Sequence, residues 1–142
     1  MYKKIIPACA TGMVNAFGSS HILTFRDSVT RVVNTSSISS GAPFWTGASS
    51  DWGWYDARCN LMCERMVYGM PAFSSSAWDT GVATRQFSAF RLSERLINYN
   101  RQWWWLRDVV SSADFALAHG GGTAGADIAS CVHGVRPFAL LV

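Results

Sequence analysis

The C-terminal part of the chain uses a reduced set of amino acids. From Arg107 to Val142 the sequence contains no Lys, Glu, Gln, Met or Trp, although residues 1–106 contain all five. Ala, Gly, Ser and Asp are frequent between Arg107 and the Gly134–Pro137 segment. Within residues 108–135 there is also no Arg, so long charged and large amide side chains are excluded from that part, and any surface that it forms is small and nearly uncharged.

Charged residues and long apolar runs are also scarce. Asp, Glu, Lys and Arg make up 15% of the 142 residues, and the formal net charge is +3. The Lys and Arg residues are dispersed and form no basic stripe, which argues against a nucleic-acid partner. No apolar run reaches the length of a membrane span, so no membrane partner is expected.

Residues 1–16 are predicted to be an N-terminal arm. Their short apolar run is interrupted by Pro7, so they do not form a clear signal peptide. The protein is therefore expected to be made in the cytoplasm.

The cysteines match no known metal motif. Cys59 and Cys63 are four residues apart, but no Cys-x-x-Cys pair and no spaced His pair accompanies them. Together with Cys9 and Cys131 they are predicted to be reduced thiols that pack as small hydrophobic side chains. The three histidines form no spaced constellation either. The prediction is therefore a protein with no metal site, no cofactor and no catalytic residues, and hence not an enzyme.

The composition is that of one packed domain spanning residues 1–142. Hydrophobic residues make up 49% of the chain, with seven Trp and eight Phe, so a single core with loops pinned by aromatic rings is expected.

A helix that packs on the core is predicted over residues 18–34. Its apolar residues lie at i, i+3, i+7, i+10 and i+11 from Ile22, which is a helical period. A second, short helix is predicted from Asp56 to Tyr68, and Gly69 is expected to end it.

Two intervening stretches are expected to lack regular structure. Residues 43–56 hold five aromatic residues among Gly and Ser. They are either a sugar-stacking surface or, as we favour, a long loop that its own rings anchor. Residues 72–95 are predicted to be irregular.

Strand patterns begin near the three consecutive tryptophans. Trp103 and Trp105 are predicted on one face of a strand, and Trp104 and Leu106 on the other. Alternation over residues 115–118 predicts a second, half-buried strand. The fold class expected from these patterns is α+β, with one or two helices packed on a small antiparallel sheet and with long loops.

The connection and the last strand follow from Gly and Pro. The run Gly120–Gly122 supplies the positive φ angles that a hairpin turn needs. Residues 135–142 are predicted to form the closing strand, and Pro137 within it indicates an edge position or a bulge.

Several short segments share the motifs of one protein family. The most specific are residues 104–107 (Trp-Trp-Leu-Arg), 115–117 and 134–137 (Gly-Val-Arg-Pro), and weaker ones are residues 61–64, 67–69 and 86–92. These segments resemble the variable proteins of diversity-generating retroelements, which are common in bacteriophages and prophages. The resemblance covers the chain from about Phe17 to its last residue. The resemblance implies a C-type-lectin fold whose residues 103–137 form a variable ligand-binding region.

The resemblance also accounts for the missing amino acids. In this family an error-prone reverse transcriptase randomises adenines, mostly in Asn-type codons. Substitution of the first two bases of such a codon cannot yield Lys, Glu, Gln, Met or Trp, which is the set absent after Arg107. The acidic–amide pairs that bind calcium in sugar-binding C-type lectins have no clear counterpart here, and Cys131 stands alone where formylglycine-generating enzymes of the same broad fold carry a cysteine pair.

Strand parity and turn placement nominate the outward, ligand-binding positions. Trp103 and Trp105 are expected to form an apolar floor for them. The nominated positions are Asp108, Asp114, Ala116, His119, Gly120, Gly121, Gly125, Ala126, Asp127, Ile128, Cys131 and His133.

These observations lead to one leading hypothesis and one alternative. The leading hypothesis is a non-enzymatic binding protein on a virion surface or bacterial cell surface, which recognises a host-surface protein or glycan and acts as a homo-oligomer. The alternative is a structural or decoration domain of a virion, in contact with other virion proteins and without a diversified site. Many copies on one particle would raise a modest affinity per site through avidity.

Overall fold

The computed structural model describes residues 4–30, 52–70, 72–73, 86–98, 100–110 and 113–142. Within these residues the protein is a small mixed α+β structure, which confirms the predicted class, but it has three α-helices and not one or two. The elements are α1 (Ile5–Phe17), β1 (Phe25–Thr30), β2 (Trp52–Ala57), β3 (Asn60–Leu61), α2 (Glu64–Tyr68), α3 (Ser88–Leu92), β4 (Trp104–Val109), β5 (Asp114–Ala118), β6 (Ala124–Ile128), β7 (Gly134–Val135) and β8 (Pro137–Phe138). None of the helices in these ranges is both long enough and apolar enough to cross a membrane.

The described strands form three small sheets, where the sequence predicted one antiparallel sheet. The largest has the order β6-β5-β4-β7, and β1-β2 and β3-β8 form two-stranded sheets. All pairs are antiparallel except β4-β7, which is parallel. The parallel pair arises because the chain leaves β6, crosses the sheet through residues 129–133 and returns beside β4.

Strand β4 is buried on both of its faces. Trp104 and Leu106 belong to a core cluster that also contains Phe90 of α3. Trp105, one residue out of phase, packs in a second cluster with Ile6 of α1. The predicted alternation of the tryptophans is confirmed, and its physical basis is the two-residue period of a strand with apolar layers on both sides.

The N-terminal arm predicted over residues 1–16 contains a helix, since residues 5–17 form α1. Ile6 is buried, and Cys9, Ala10 and Met13 pack against the second core cluster. These positions are spaced by three or four residues and lie on one helical face. Pro7 does not break the helix because it lies in the first turn, where its missing N–H has no intrahelical partner to lose.

The helix predicted over residues 18–34 is wrong over residues 18–30, and residues 31–34 lie outside the described residues. A 3-10 turn follows Gly18, and residues 25–30 form β1, which pairs with β2 in a continuous antiparallel register. On this strand Arg26 forms an exposed ion pair with its register partner Asp56, while Asp27 of the opposite face bonds to Asn60. The helical spacing of apolar residues was overridden by pairing with a strand about 27 positions away, since strand formation depends on neighbours as much as on local pattern.

The helix predicted from Asp56 to Tyr68 exists only over its last five residues, as α2. Its predicted end is confirmed, because Gly69 adopts the left-handed conformation at φ 81°. Upstream of it, residues 59–63 are all buried and pass through β3. A fully buried segment has no exposed face, so its apolar residues fit a strand as well as a helix.

The two stretches predicted to be irregular are described only in part. Residues 43–51 and 74–85 lie outside the described residues. Most of the aromatic stretch over residues 43–56 is therefore not described, and its interpretation as a loop or a sugar-stacking surface stays a prediction. Residues 52–57 form β2 and residues 88–92 form α3, which corrects the prediction of irregular structure there.

The short described segment at residues 72–73 is held by Glu64. The buried carboxylate of Glu64 accepts hydrogen bonds from the backbone N–H groups of Ala72 and Phe73, at 2.9 and 3.0 Å.

The hairpin predicted at Gly120–Gly122 is confirmed. It joins β5 to β6, Gly122 has φ 91°, and the His119 N–H donates to the Thr123 carbonyl at 2.8 Å. The closing strand predicted over residues 135–142 is instead divided. Residues 134–135 pair with β4 and residues 137–138 pair with β3, so Pro137 occupies an edge strand as expected.

Candidate functional site

Two histidines pack against Trp103 and Trp105. The His119 ring lies on Trp103, with ring centroids 3.7 Å apart. The His133 ring contacts both Trp103 and Trp105, at centroid distances of 5.3 and 4.7 Å. The two rings predicted to form an aromatic floor therefore contact the same histidine, but Trp105 is only 6% exposed whereas Trp103 is 38% exposed.

His133 also joins a polar cluster at the end of β6. Its Nε2 lies 2.8 Å from Oδ2 of Asp127, and the Asp127 Oδ1 accepts the Ile128 N–H at 2.8 Å. The Cys131 thiol lies near the same carboxylate, with the donor atoms of Asp127, Cys131 and His133 all within 4.8 Å of one another. The hydrogen bonds from His133 and Ile128, together with the nearby Cys131 thiol, hold the pKa of Asp127 below its usual range, because each of them favours the ionised form.

A cavity of about 290 Å³ opens beside this cluster. We call it the Trp105 pocket. Its wall includes Trp105, Phe115, Cys131, Val132 and His133, and Ile5 of α1 contributes from the other end of the chain. A mostly apolar concavity with a few polar groups at its edge is the usual form of a small-ligand site.

The cross-strand register explains which side chains meet at the pocket. Phe115 lies opposite Asp127 and Leu117 lies opposite Gly125, so these four residues share one face of the hairpin. Ala116 lies opposite Ala126 on the other face, and Ala116 belongs to the core cluster of Trp104. The parity that nominated Ala116 as outward is therefore wrong, because both faces of β5 are covered and alternation alone does not show which face carries the site.

The nominated residues fall into three groups. Trp103, Trp105, His119, Asp127, Cys131 and His133 are brought together, and Gly121 and Ile128 are exposed close to them in the chain. Asp114 and Ala126 are half-buried, and Ala126 packs against the Trp104 cluster. The nominations that the structure contradicts are Asp108, Ala116, Gly120 and Gly125.

Asp108 and the two glycines are contradicted for different physical reasons. Asp108 is 6% exposed, and its carboxylate accepts the buried N–H of Glu64 at 2.7 Å, so it supports the core and not a ligand surface. Gly125 is buried, and a Cβ there would lie 3.1 Å from Leu117 Cδ1. Gly120 is packed against the chain backbone, since a Cβ there would lie 2.4 Å from the Arg101 carbonyl oxygen.

The hairpin turn provides a matched pair of substitutions. Gly120→Ala is expected to lower the free energy of unfolding by about 1–3 kcal/mol, because backbone atoms must move to admit the methyl group. Gly121→Ala is expected to change it by no more than about 0.5 kcal/mol, since nothing lies within 4 Å of the new Cβ. Urea denaturation of the two variants measures both values. Equal effects would show that Gly120 is not held against Arg101.

Sequence reasoning missed Phe115, Val132 and Ile5 as pocket residues. Phe115 could have been found from its register with Asp127 once the hairpin turn was fixed. Val132 lies in the nominated region, but its 96% exposure carries no sequence signal. Ile5 reaches the pocket through tertiary packing of α1, which no local pattern reports.

The geometry of the polar cluster bears on the chemistry that it can perform. A nucleophilic cysteine needs a base or a positive charge that favours its thiolate. Here the Asp127 carboxylate raises the pKa of the Cys131 thiol, which disfavours the thiolate, while the His133 ring offers a basic nitrogen within 4.8 Å of the Cys131 sulfur. Cys59 is buried and free, and burial raises the pKa of its thiol to about 11.

The chain was compared with protein-family models, with curated proteins and with solved structures, and nothing matches in any of the three comparisons. The interpretation of the site therefore depends on its own geometry and chemistry.

Proposed function

We propose that this chain is a non-enzymatic ligand-binding protein with a C-type-lectin fold, whose C-terminal surface is diversified by a retroelement. Its task would be recognition of a host-surface protein or glycan on behalf of a bacteriophage or prophage, from the surface of a virion or a bacterial cell. The observation that carries the proposal is the pairing of exposed, structurally unconstrained side chains with a buried aromatic support at the Trp105 pocket.

The unconstrained side chains lie on the segment that borders the pocket. Val132 is 96% exposed and Ile128 is 48% exposed. Ala129 and Ser130 are exposed between them. Apolar side chains that contribute little to the core and stand beside an apolar pocket are typical of a contact surface. Because they contribute little to folding, their identities can change while the domain stays folded.

The support beneath this segment is rigid. Strands β4, β5 and β6 are hydrogen-bonded to one another, and Trp105 packs edge-on against Phe115 at a centroid distance of 6.4 Å. His133 fixes the end of the segment through Trp105 and Asp127. A firm scaffold that presents variable positions is the arrangement that diversified binding proteins require.

The motifs that carry the family resemblance are neighbours in three dimensions. Trp104 of the first motif pairs with Gly134 of the last one, and Trp105 pairs with Val135. The guanidinium of Arg136 lies 4.9 Å from the centre of the Trp104 ring. Residues that are far apart in the sequence therefore form one packed unit, which supports the interpretation that they belong to a single scaffold element of this fold.

Deep sequencing of the gene and its flanking DNA in a growing population tests the proposal. Substitutions are expected at codons 121, 128–130 and 132, at adenines of a nearby imperfect repeat. Codons 108, 116, 120 and 125 serve as the internal control and are expected to stay constant, because their side chains are packed. A uniform sequence without a repeat, or changes spread equally over both groups of codons, contradicts the proposal.

A second candidate function has one observation in its favour. The Leu23 N–H donates to the Leu140 carbonyl beside the antiparallel bridge between Ile22 and Leu141, so the exposed side chains of Leu23 and Leu140 lie on one face of this pair. An exposed apolar pair of this kind suits the assembly contact of a virion structural or decoration domain. A stable oligomer that Leu140→Asp dissociates, found together with an unvaried gene, favours this alternative over the diversified receptor.

A further inference from the structure

The polar cluster beside the Trp105 pocket combines three kinds of metal-ligating atom. The Asp127 carboxylate, the Cys131 thiol and the His133 imidazole each offer one donor atom, and the three atoms all lie within 4.8 Å of one another. They come from the end of β6 and from the turn that follows it, with the spacing Asp-x₃-Cys-x-His. No metal site was predicted from the sequence, because this spacing contains neither a Cys-x-x-Cys pair nor a spaced His pair.

We infer that Asp127, Cys131 and His133 form a three-ligand binding site for a transition metal ion of the Zn²⁺ class. The inference does not depend on the proposed ligand recognition. Thiolate and imidazole donors favour Zn²⁺ over Ca²⁺ and Mg²⁺, which prefer oxygen ligands alone.

The distances are close to those that a tetrahedral ion requires. Zn–N and Zn–O bonds of about 2.0 Å and a Zn–S bond of about 2.3 Å place the donor atoms roughly 3.3–3.8 Å apart. The present separations run from 2.8 Å, for His133 Nε2 and Asp127 Oδ2, up to a limit of 4.8 Å. Shifts of about 1 Å or less therefore close the site, and Cys131 lies in a turn outside the paired strands, where such a shift disrupts no ladder bond.

The hydrogen bond between His133 and Asp127 is one that a metal ion would replace. His133 Nε2 lies 2.8 Å from Asp127 Oδ2, and the Cys131 Sγ lies within 4.8 Å of both donor groups, so the three donor atoms converge on one point. On binding, the S–H bond of Cys131 breaks, its electron pair forms the S–Zn bond, and the proton leaves to solvent. In the metal-bound state the His133 proton would lie on Nδ1: the Nε2 proton, which now bonds to Asp127, is lost to solvent while Nδ1 takes one up, so that the Nε2 lone pair faces the ion.

The fourth coordination position has room to be filled from outside. Cys131 and His133 both line the Trp105 pocket, so an ion held between them borders that cavity. Three protein ligands with one open position is the coordination of an exchangeable zinc site, whereas structural zinc sites are closed by four protein ligands. Water, or a donor atom of a molecule in the pocket, completes the shell.

Titration of the full chain with ZnCl₂ in a calorimeter tests the inference. One ion per chain is expected, with release of about one proton per ion, read from the dependence of the heat on the ionisation enthalpy of the buffer. CaCl₂ is expected to give no binding. Cys131→Ser and His133→Gln are each expected to weaken zinc binding on the order of 100-fold or more, since even changes outside the ligand shell cost 10–100-fold.

The matched control is a double variant, Cys9→Ser with His21→Gln, which removes the same two residue types elsewhere and is expected to bind zinc as the parent does. If a site variant does not fold, two measurements on the parent protein still test the zinc site. Co²⁺ is expected to give a thiolate-to-metal absorption band, and Zn²⁺ is expected to protect Cys131 from alkylation, as mapped by mass spectrometry. Absence of the band together with unprotected Cys131, or unchanged zinc affinity in Cys131→Ser, overturns the inference.

Discussion

Replacement of Trp104 by alanine is expected to lower the free energy of unfolding by about 3–5 kcal/mol, the usual cost of removing a large aromatic ring from a core. The ring is 1% exposed and stacks on Phe90 at a centroid distance of 6.4 Å. Its Nε1–H donates to the buried carbonyl of Ile97 at 3.0 Å. The substitution therefore leaves a cavity and also removes one of two donors to the Ile97 carbonyl, the other being Arg136 Nη1 at 3.2 Å.

Two further variants identify the source of this loss in urea denaturation. Trp104→Phe keeps much of the apolar volume but removes the N–H donor, so its effect should be smaller than that of alanine. Trp103→Ala is the positional control, because this neighbouring ring is 38% exposed. If Trp103→Ala destabilises the protein as much as Trp104→Ala, the assignment of the core face of β4 is wrong.

Replacement of Arg107 by methionine is expected to cost a similar amount, about 3–5 kcal/mol, because it removes one partner of a buried ion pair. The Arg107 side chain is 2% exposed and pairs with Asp27, which is 15% exposed. The amide of Asn60 donates to the same carboxylate at 2.9 Å. Methionine fills much of the volume but takes away the positive charge that Asp27 faces.

The control for Arg107 is the adjacent pair on the other face of β1. Arg26 bonds to Asp56 at 2.8 Å, with side chains 65% and 54% exposed. Arg26→Met should have little effect, because solvent screens an exposed pair. Thermal unfolding of both variants, and of Arg107→Met combined with Asp27→Leu, measures the coupling. If the double variant is no more stable than Arg107→Met, the loss of stability does not come from the Asp27 charge that has lost its Arg107 partner.

Local signals predicted the local features of this fold correctly. The glycine run gave the hairpin turn, Gly69 gave the end of α2, and the alternation of Trp103, Trp104 and Trp105 gave the two faces of β4. Each of these depends on the conformational preference or the period of a few adjacent residues.

Features that depend on distant partners were not predictable in this way. The strand character of residues 25–30 comes from β2, and the burial of Ala116 comes from the core beneath the hairpin. The same limit applies to the candidate metal site. Asp127, Cys131 and His133 meet because the chain turns after β6 and His133 docks between Trp103 and Trp105, and neither event is encoded in their spacing alone.

The segment from Gly134 to Leu141 has a consequence for the rate at which the protein folds. It pairs with β4, with β3 and with Ile22, partners between about 30 and 120 positions upstream. Contacts of such long sequence separation require the closure of large loops before they yield any stabilisation, which slows folding relative to helical proteins of equal size. During synthesis, the apolar layers around Trp104 and Trp105 consequently cannot be completed before this segment has been made. Until then the nascent chain exposes apolar surface that can aggregate.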